Sequence, residues 1–508
     1  MNNGNHRALP APFQIRFKKG LFLAAWLLGT VFMLLTAFRY VIPYEDFAPF
    51  ICWYAVVLIA VTVGYLVISW IGFPDARNRI KQLFGKMRSY EYLFMIGFFI
   101  WYILVCAIHQ LADQGSYFLV EDWYLFDTAV SALILFPMAL YAGRERAWKY
   151  VDCMLVTVTV AYSVFLTWCM YYLIDLDFLT LPSGNYIGIT PEFNLMICSH
   201  YNITGAYSFC FFATSCYMIF TQKLPLRIFG IYSAALNLCV LLLTNSRTVY
   251  VGALILAAGC AFGGLWQCCR KTRLPVRIAV SAVGATVVAF LIILLRPAVF
   301  EWFDDLSGFT FVYGLNASSQ EPVQLLGPQI QQVTAQAKYA STQVQPIGIQ
   351  IQQVSSPVRQ INTGLSDREE IWISAFRVMI SSPLAFLAGV TPRSVTWALQ
   401  ALGDLGRAVS HAHNAILQVG VGFGVPAMIA FAVFCVRMTV KCLCLVFRKQ
   451  GKKDFIRIWM ASMIVLSLLL INMVEAYLIA YFSIMSSLFF LVCGAITAEK
   501  GDESTRKS

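Results

Sequence analysis

Three short segments in this 508-residue chain set costly polar groups beside long apolar runs. The first is Thr244-Asn245-Ser246-Arg247, a tight turn between two such runs. Arg247 opens the second run, where unpaired backbone N–H groups and the helix dipole favour an anion. Its guanidinium fork matches phosphate oxygens. An interfacial arginine reaching lipid headgroups would occupy the same place. The second segment holds Arg368 in the first turn of a capped helix, where a cation opposes the local dipole. Either a bound phosphate or pairing with Glu370 or Asp367 would account for it. The third is Ser410-His411-Ala412-His413-Asn414. Histidine is the usual proton acceptor for a hydroxyl nucleophile, while a membrane-edge histidine bonded to a carbonyl is the plainer reading of His413. In a helix, an i, i+2 spacing points the two rings apart, and no acidic residue lies nearby in sequence. We therefore read no metal site there.

The elements that must position these groups are membrane helices. The chain is 59% hydrophobic and 12% charged, about half the charged fraction of a soluble domain. Stretches such as Leu21–Phe38, Ile51–Ile71, Ala279–Leu295 and Ile458–Val474 have the roughly 20-residue length that crosses hydrocarbon. Spans are expected at 20–38, 51–71, 92–111, 126–142, 151–174, 203–221, 226–244, 248–267, 278–296, 424–446, 457–475 and 478–497. The fold class is thus an all-α integral membrane protein of about twelve transmembrane helices, with a large extracytoplasmic loop between helices nine and ten. The first span has a basic flank, Arg16 to Lys19, without a small-residue cleavage site, and reads as retained. The 15 cysteines lie mostly in apolar helices without CxxC spacing and read as small core hydrophobes.

A net charge of +11 would suit nucleic acid or a membrane surface. Its distribution favours the membrane, with no nucleic-acid partner. Arg77, Arg79, Lys81, Lys86 and Arg88 fall in one short loop, Arg144, Arg146 and Lys149 in another. Arg270 to Arg277 and Arg448 to Arg457 follow. In this topology 28 of the 37 Lys and Arg lie inside and nine outside, as the positive-inside rule requires. Both termini fall on the cytoplasmic side of the cell (plasma or inner) membrane.

Four parts result: 1–202, with five helices and an outer loop; 203–296, with helices six to nine; 297–423, the large loop; and 424–508, with three helices and a tail. Within the large loop, Gln320 to Gln360 is Gln-rich, with few charges and no clean period. Ser366-Asp367-Arg368-Glu369 fits a capping box. Ile371, Ala375, Val378 and Met379 then recur at helical spacing, and Ser382-Pro383 ends that helix. It reads as amphipathic, at the outer membrane face.

Three motifs together resemble the O-antigen ligase family, whose shared domain also occurs in O-antigen and capsule polymerases (Wzy-C type). They are LLLTNSRTVYVGALIL around Arg247, SDREEIWISAF followed by SSPLAFLAGV, and HAHNAILQVGVGFGVPAMIAF. The resemblance covers about residues 230–440 and departs from the pattern in the Gln-rich stretch. It implies a GT-C-like membrane glycosyltransferase that is metal-independent and needs no cofactor. The donor would be a polyprenyl-pyrophosphate-linked glycan, and the acceptor a glycan, lipid or protein. Arg247 and Arg368 match the family's pyrophosphate-binding arginines, and His413 its catalytic base. Asn414 and Trp372 match recurring positions of structural character. His411 is a neighbour that the pattern does not require, and Glu475 lines up with a polar site on a late helix.

The expected activity is an inverting glycan transfer, by a ligase or a polymerase, at the outer membrane face. A transporter or flippase is the rival. It would place ionisable groups deep along a path through the bilayer, and few are found: His109, Arg39 and Glu475 lie near span ends, with Arg437 deeper. A non-catalytic scaffold is a third reading, which would tolerate loss of all three motif residues.

Overall fold

Hydrocarbon offers no partner to backbone N–H and C=O groups, so a chain this apolar satisfies them within helices. The computed structural model describes residues 11–41, 44–72, 89–112, 123–144, 148–175, 178–180, 186–189, 194–197, 200–307, 366–403, 409, 411–447, 452–478 and 483–499. The Gln-rich stretch 320–360, Ser410, the side chains of Ser366 and Asp367, and the basic loop residues Arg77, Arg79, Lys81, Lys86, Arg88, Arg146, Arg448 and Lys449 lie outside the described residues.

The helices are α1 (Ala11–Ala37), α2 (Tyr44–Gly72), α3 (Tyr90–Ala112), α4 (Trp123–Val130), α5 (Phe136–Arg144), α6 (Lys149–Asp175), α7 (Tyr201–Thr221), α8 (Leu224–Leu243), α9 (Arg247–Cys268) and α10 (Leu274–Ser307). After them come α11 (Ser366–Ile380), α12 (Pro383–Ala388), α13 (Val395–Ala401), α14 (Ala415–Phe423), α15 (Val425–Phe447), α16 (Lys452–Asn472) and α17 (Ile484–Ala498). Among the described residues, eight helices are long and apolar enough to cross a membrane, and Trp26–Ala37, Trp53–Gly64, Asp127–Leu140 and Ile484–Ala498 are shorter apolar helices. The protein is an all-α integral membrane protein. The segment between α6 and α7 adds a small antiparallel sheet in the order β1 (Phe178–Thr180), β2 (Tyr186–Ile189), β3 (Leu195–Met196).

Several expected boundaries move, each for a local reason. The apolar run 126–142 is divided by a π-turn, Ser131–Leu135. The last span starts at Ile484 rather than 478, because Ser483 caps it by accepting the Ser486 N–H at 3.3 Å. Helix α10 continues through Pro297 to Ser307, so the segment expected as loop from 297 begins as helix. The Gly-rich approach to the tenth span is a separate helix, α14. Gly424 parts it from α15 at φ +89°, where its missing Cβ lets the chain touch the backbone of Leu387 and Ala388. Ser382 does more than end α11, since its hydroxyl accepts the Ala385 N–H at 3.0 Å and caps α12.

The pair α9 and α16 positions the chemistry. Gly252, Gly259 and Gly263 lie on one side of α9, where added Cβ atoms would run into Ile471, Met463 and Trp459 of α16. Residues late in α16 face residues early in α9, so the pair is antiparallel. The small residues let the backbones close up, and the Trp459 indole N–H donates to Gly259 O at 2.9 Å. The start of α9 therefore lies beside the end of α16. Near its own start, α16 is pinned by Arg457 against Asp152 at 2.9 Å, and Tyr217 donates to the same carboxylate at 2.6 Å. Arg437 and Lys441 of α15 both sit 3.5 Å from Glu91 of α3. These ions are paired between helices.

This seam separates two adjacent glycines by sign. Gly263→Ala should destabilise the protein by on the order of 1–3 kcal/mol, since the indole cannot yield without losing its hydrogen bond. Gly264→Ala, whose Cβ would meet Phe220 at an ordinary 3.6 Å, should be neutral or stabilising by up to about 1 kcal/mol through helix propensity. Thermal unfolding of both variants in one detergent checks this, and equal shifts would reject the seam.

Candidate functional site

Two backbone devices aim the motif residues. At the start of α9, Asn245 takes the left-handed conformation (φ 55°), which Asn tolerates better than most residues. The Thr244 hydroxyl donates to Leu241 O at 2.7 Å. This turn delivers Arg247 as the first residue of α9, exposed and without an ion pair or hydrogen bond among the described residues. Ahead of α14, His413 is also left-handed (φ 49°). Asn414 then caps α14, its Oδ1 accepting the Ile416 and Leu417 N–H groups at 2.9 and 3.0 Å.

Helix α11 buries Ile371, and packs Ala375, Val378 and Met379 in one apolar cluster with Ala398, Leu399, Ala412 and Val421. That is the face its spacing predicts. The cluster holds α11 against the His-Ala-His segment, and the Trp372 indole N–H donates to His413 O at 3.4 Å. Arg368 is thereby set facing a carboxylate from elsewhere in the chain.

That carboxylate is Glu475, 1% exposed. It lies in the loop after α16, not on a helix as the sequence suggests. Arg368 Nη2 is 3.1 Å from Oε1, and His413 Nδ1 is 3.2 Å from Oε2. Arg368 also donates to the Thr248 hydroxyl at 3.2 Å. Thr248 follows Arg247 directly, so the start of α9 that carries Arg247 adjoins Arg368, which meets His413 around one acid. Among the described residues, Arg368 pairs over this long range with Glu475 rather than with Glu370; the Asp367 side chain lies outside the described residues. The Glu475 loop is itself held, since Asn414 Nδ2 donates to Met473 O at 2.9 Å and the Tyr477 N–H to Asn472 Oδ1 at 2.7 Å.

The histidines differ from the helical reading. Because His413 is left-handed, its N–H donates to His411 Nδ1 at 3.2 Å and the ring centroids approach to 4.1 Å, not apart. The buried Gln418 accepts the Ala412 N–H at 2.9 Å and completes the turn. Facing the Glu475 carboxylate, His413 Nδ1 is the donor of this pair, so in the neutral ring Nε2 is the nitrogen with the lone pair. His411, accepting on Nδ1, carries its proton on Nε2, which lies 3.9 Å from Glu475 Oε2.

Burial alone would raise the Glu475 pKa. The His413 hydrogen bond and charge, then His411 and Arg368, outweigh it and hold the group below the ordinary carboxylate range. Burial, reinforced by His413 and opposed by Glu475, pushes His411 down to about 3. His411, His413 and Glu475 also present three donor atoms within 4.8 Å of one another. An ion there would have to displace protons from both imidazoles and compete with the Arg368 guanidinium for the carboxylate.

Sequence reasoning missed Thr248 and His200. The latter caps α7 and feels the charges of Glu475 and His413. It lies at the end of the outer loop that closes the 1–202 part of the sequence. Arg296, near the end of α10, donates to Asn245 Oδ1 beside the Arg247 turn.

Residues 232–432 match the family model described as O-antigen ligase. The matched range contains Arg247, Arg368 and His413 and stops short of Glu475. No curated protein matches the chain.

The depressed His411 pKa gives a pH test. A histidine whose folded pKa lies below the unfolded value of about 6.5 stabilises the neutral form. Stability is therefore complete above pH 6.5 and falls as pH drops toward 3, by on the order of 1 kcal/mol per unit. His411→Asn, which keeps an acceptor for the His413 N–H, should flatten thermal stability between about pH 6.5 and 4.5 by close to one proton. Glu475, with its pKa lowered, protects above the unfolded carboxylate value and gives way only below that window. Equal slopes in both proteins would refute the assignment.

Proposed function

From the match of residues 232–432 to the O-antigen ligase family model, we propose a specific reaction within the membrane glycosyltransferase activity of that family. The protein transfers a glycan from a polyprenyl pyrophosphate, undecaprenyl in kind, to an acceptor hydroxyl at the outer membrane face, with both termini cytoplasmic. Configuration inverts, and neither metal nor cofactor takes part. The observation that carries this reading is the Glu475 carboxylate with Arg368 on one oxygen and His413 on the other.

The donor pyrophosphate sits against Arg247 and Arg368, with the first N–H groups of α9 adding partial positive charge. His413 Nε2 accepts the proton of the acceptor hydroxyl while its oxygen attacks the anomeric carbon from the face opposite the leaving group. The C1–O bond breaks, and its electron pair goes to the pyrophosphate oxygen that the arginines stabilise. Glu475 stabilises the imidazolium that forms. Trp372, Asn414 and His411 hold that geometry. The acceptor, a glycan, lipid or protein, decides between ligase and polymerase.

Purified protein in detergent with EDTA should transfer glycan and release lipid pyrophosphate. His413→Ala should lower kcat by about 10²–10⁴, and Arg247→Ala and Arg368→Ala should weaken donor use and slow the chemical step. Glu475→Gln, acting through His413, should lower kcat less than His413→Ala does. Folded variants that transfer like wild type, or lipid-linked glycan that crosses vesicles without transfer, would replace the transferase with the flippase.

A further inference from the structure

His200 stands immediately ahead of α7, in extended conformation (φ −156°, ψ 146°), with Nδ1 accepting the Asn202 N–H at 3.1 Å. That bond is an N-terminal cap made by an imidazole, a residue that ranks low for this task beside Asn, Asp and Ser. If capping were its whole purpose, an asparagine would serve better. The ring is exposed and lies against Tyr201, with centroids 4.2 Å apart at 30°. Among the described residues no hydrogen bond is made to Nε2.

The cap lies at the site. Gly205, little more than a turn along α7, has no Cβ, and one added there would come 2.9 Å from the Thr244 hydroxyl and 3.2 Å from Ser246 Cβ. The start of α7 is thus pressed against the turn that delivers Arg247. His200 also interacts electrostatically with Glu475 and His413, and His411 in turn feels His200. Desolvation lowers its pKa, with Glu475 opposing and His413 reinforcing the shift. At neutral pH the ring is therefore uncharged. With Nδ1 committed as acceptor, its single proton is on Nε2. A neutral N–H donor beside the proposed base suits a sugar oxygen. It suits a pyrophosphate less well, since the arginines already supply the charge.

Building on the transferase reading above, we propose that His200 is an acceptor-binding residue, whose Nε2–H donates to an oxygen of the incoming sugar and holds the neighbouring hydroxyl within reach of His413 Nε2. The structure gives the two ring nitrogens separate tasks, Nδ1 for the fold and Nε2 for the substrate.

Two substitutions separate them. Asparagine places an acceptor near the Nδ1 position and nothing at Nε2, whereas glutamine places an amide N–H near Nε2 and abandons the cap. With the glycan acceptor varied at saturating donor, His200→Asn should keep the melting temperature and raise acceptor KM about five- to tenfold, the worth of one neutral hydrogen bond. Its donor KM should not move. His200→Gln should lose thermal stability yet recover much of the acceptor KM. The same acceptor KM in His200→Asn and wild type, with His413→Ala inactive, would overturn the role of His200 and leave the transferase reading intact. An active His413→Ala would overturn both.

Discussion

A carboxylate removed from water costs several kcal/mol unless its oxygens are answered, and Glu475 is removed almost completely. Its two oxygens face different directions and collect different partners, Arg368 on one and His413 on the other. Each partner comes from a different element, the start of α11 and the turn before α14, while the acid follows α16. Four parts of the chain, counting Thr248 on α9, are therefore tied at one point. Loss of the acid would leave Arg368 and His413 with no reason to share a space, and loss of either partner would leave a buried charge unanswered. The ordering force is electrostatic, and the apolar bundle makes it strong by excluding water.

That arrangement requires α9 and α16 to be in fixed register. The glycine face of α9 sets the distance of approach, and the bulky Ile471, Met463 and Trp459 set the register by fitting where Cβ atoms are missing. The far end of α16 is locked by Arg457 on Asp152. A helix held at both ends and along its length cannot slide without breaking an ion pair. The loop from Met473 to Leu478 inherits that rigidity. Asn414 passes it on, because the residue that caps α14 also holds Met473 O.

The sequence made some of this legible and hid the rest for definable reasons. Arg247, Arg368 and His413 each stood where an apolar run met a costly polar group, so local physics already marked them. The buried face of α11 followed from spacing through Ile371, Ala375, Val378 and Met379. Glu475 could not be weighed in the same way, since its importance lies in partners 62 and 107 positions away. The His411 geometry was misread because helical spacing was assumed where His413 is left-handed, and only that conformation brings the two rings together. Thr248 and His200 carry no local signal of their own, since a hydroxyl in a helix and a histidine before one are ordinary until the fold sets them beside an acid. The last span was placed six residues early at its start, because Ala476, Tyr477 and Leu478 are apolar yet belong to the loop that carries the acid.

One acid shared by a cation and a base also bears on the order of events in the proposed transfer. Before donor arrives, the charge of Glu475 is divided between Arg368 and His413. A pyrophosphate drawing on the Arg368 guanidinium takes over part of that pairing, and more of the carboxylate's field then falls on His413. In that proposed transfer the base would be strengthened when a leaving group is in place to be expelled. When the hydroxyl proton moves to Nε2, the new imidazolium meets a carboxylate already aligned with it, so little reorganisation is needed during the step. His411, buried and pushed down to about 3, stays neutral throughout and adds no competing charge. A lone His–Arg pair without the acid could hold the same atoms in place, but its two cationic groups would repel each other when the proton arrived. The carboxylate removes that conflict, and its burial keeps solvent from screening the effect.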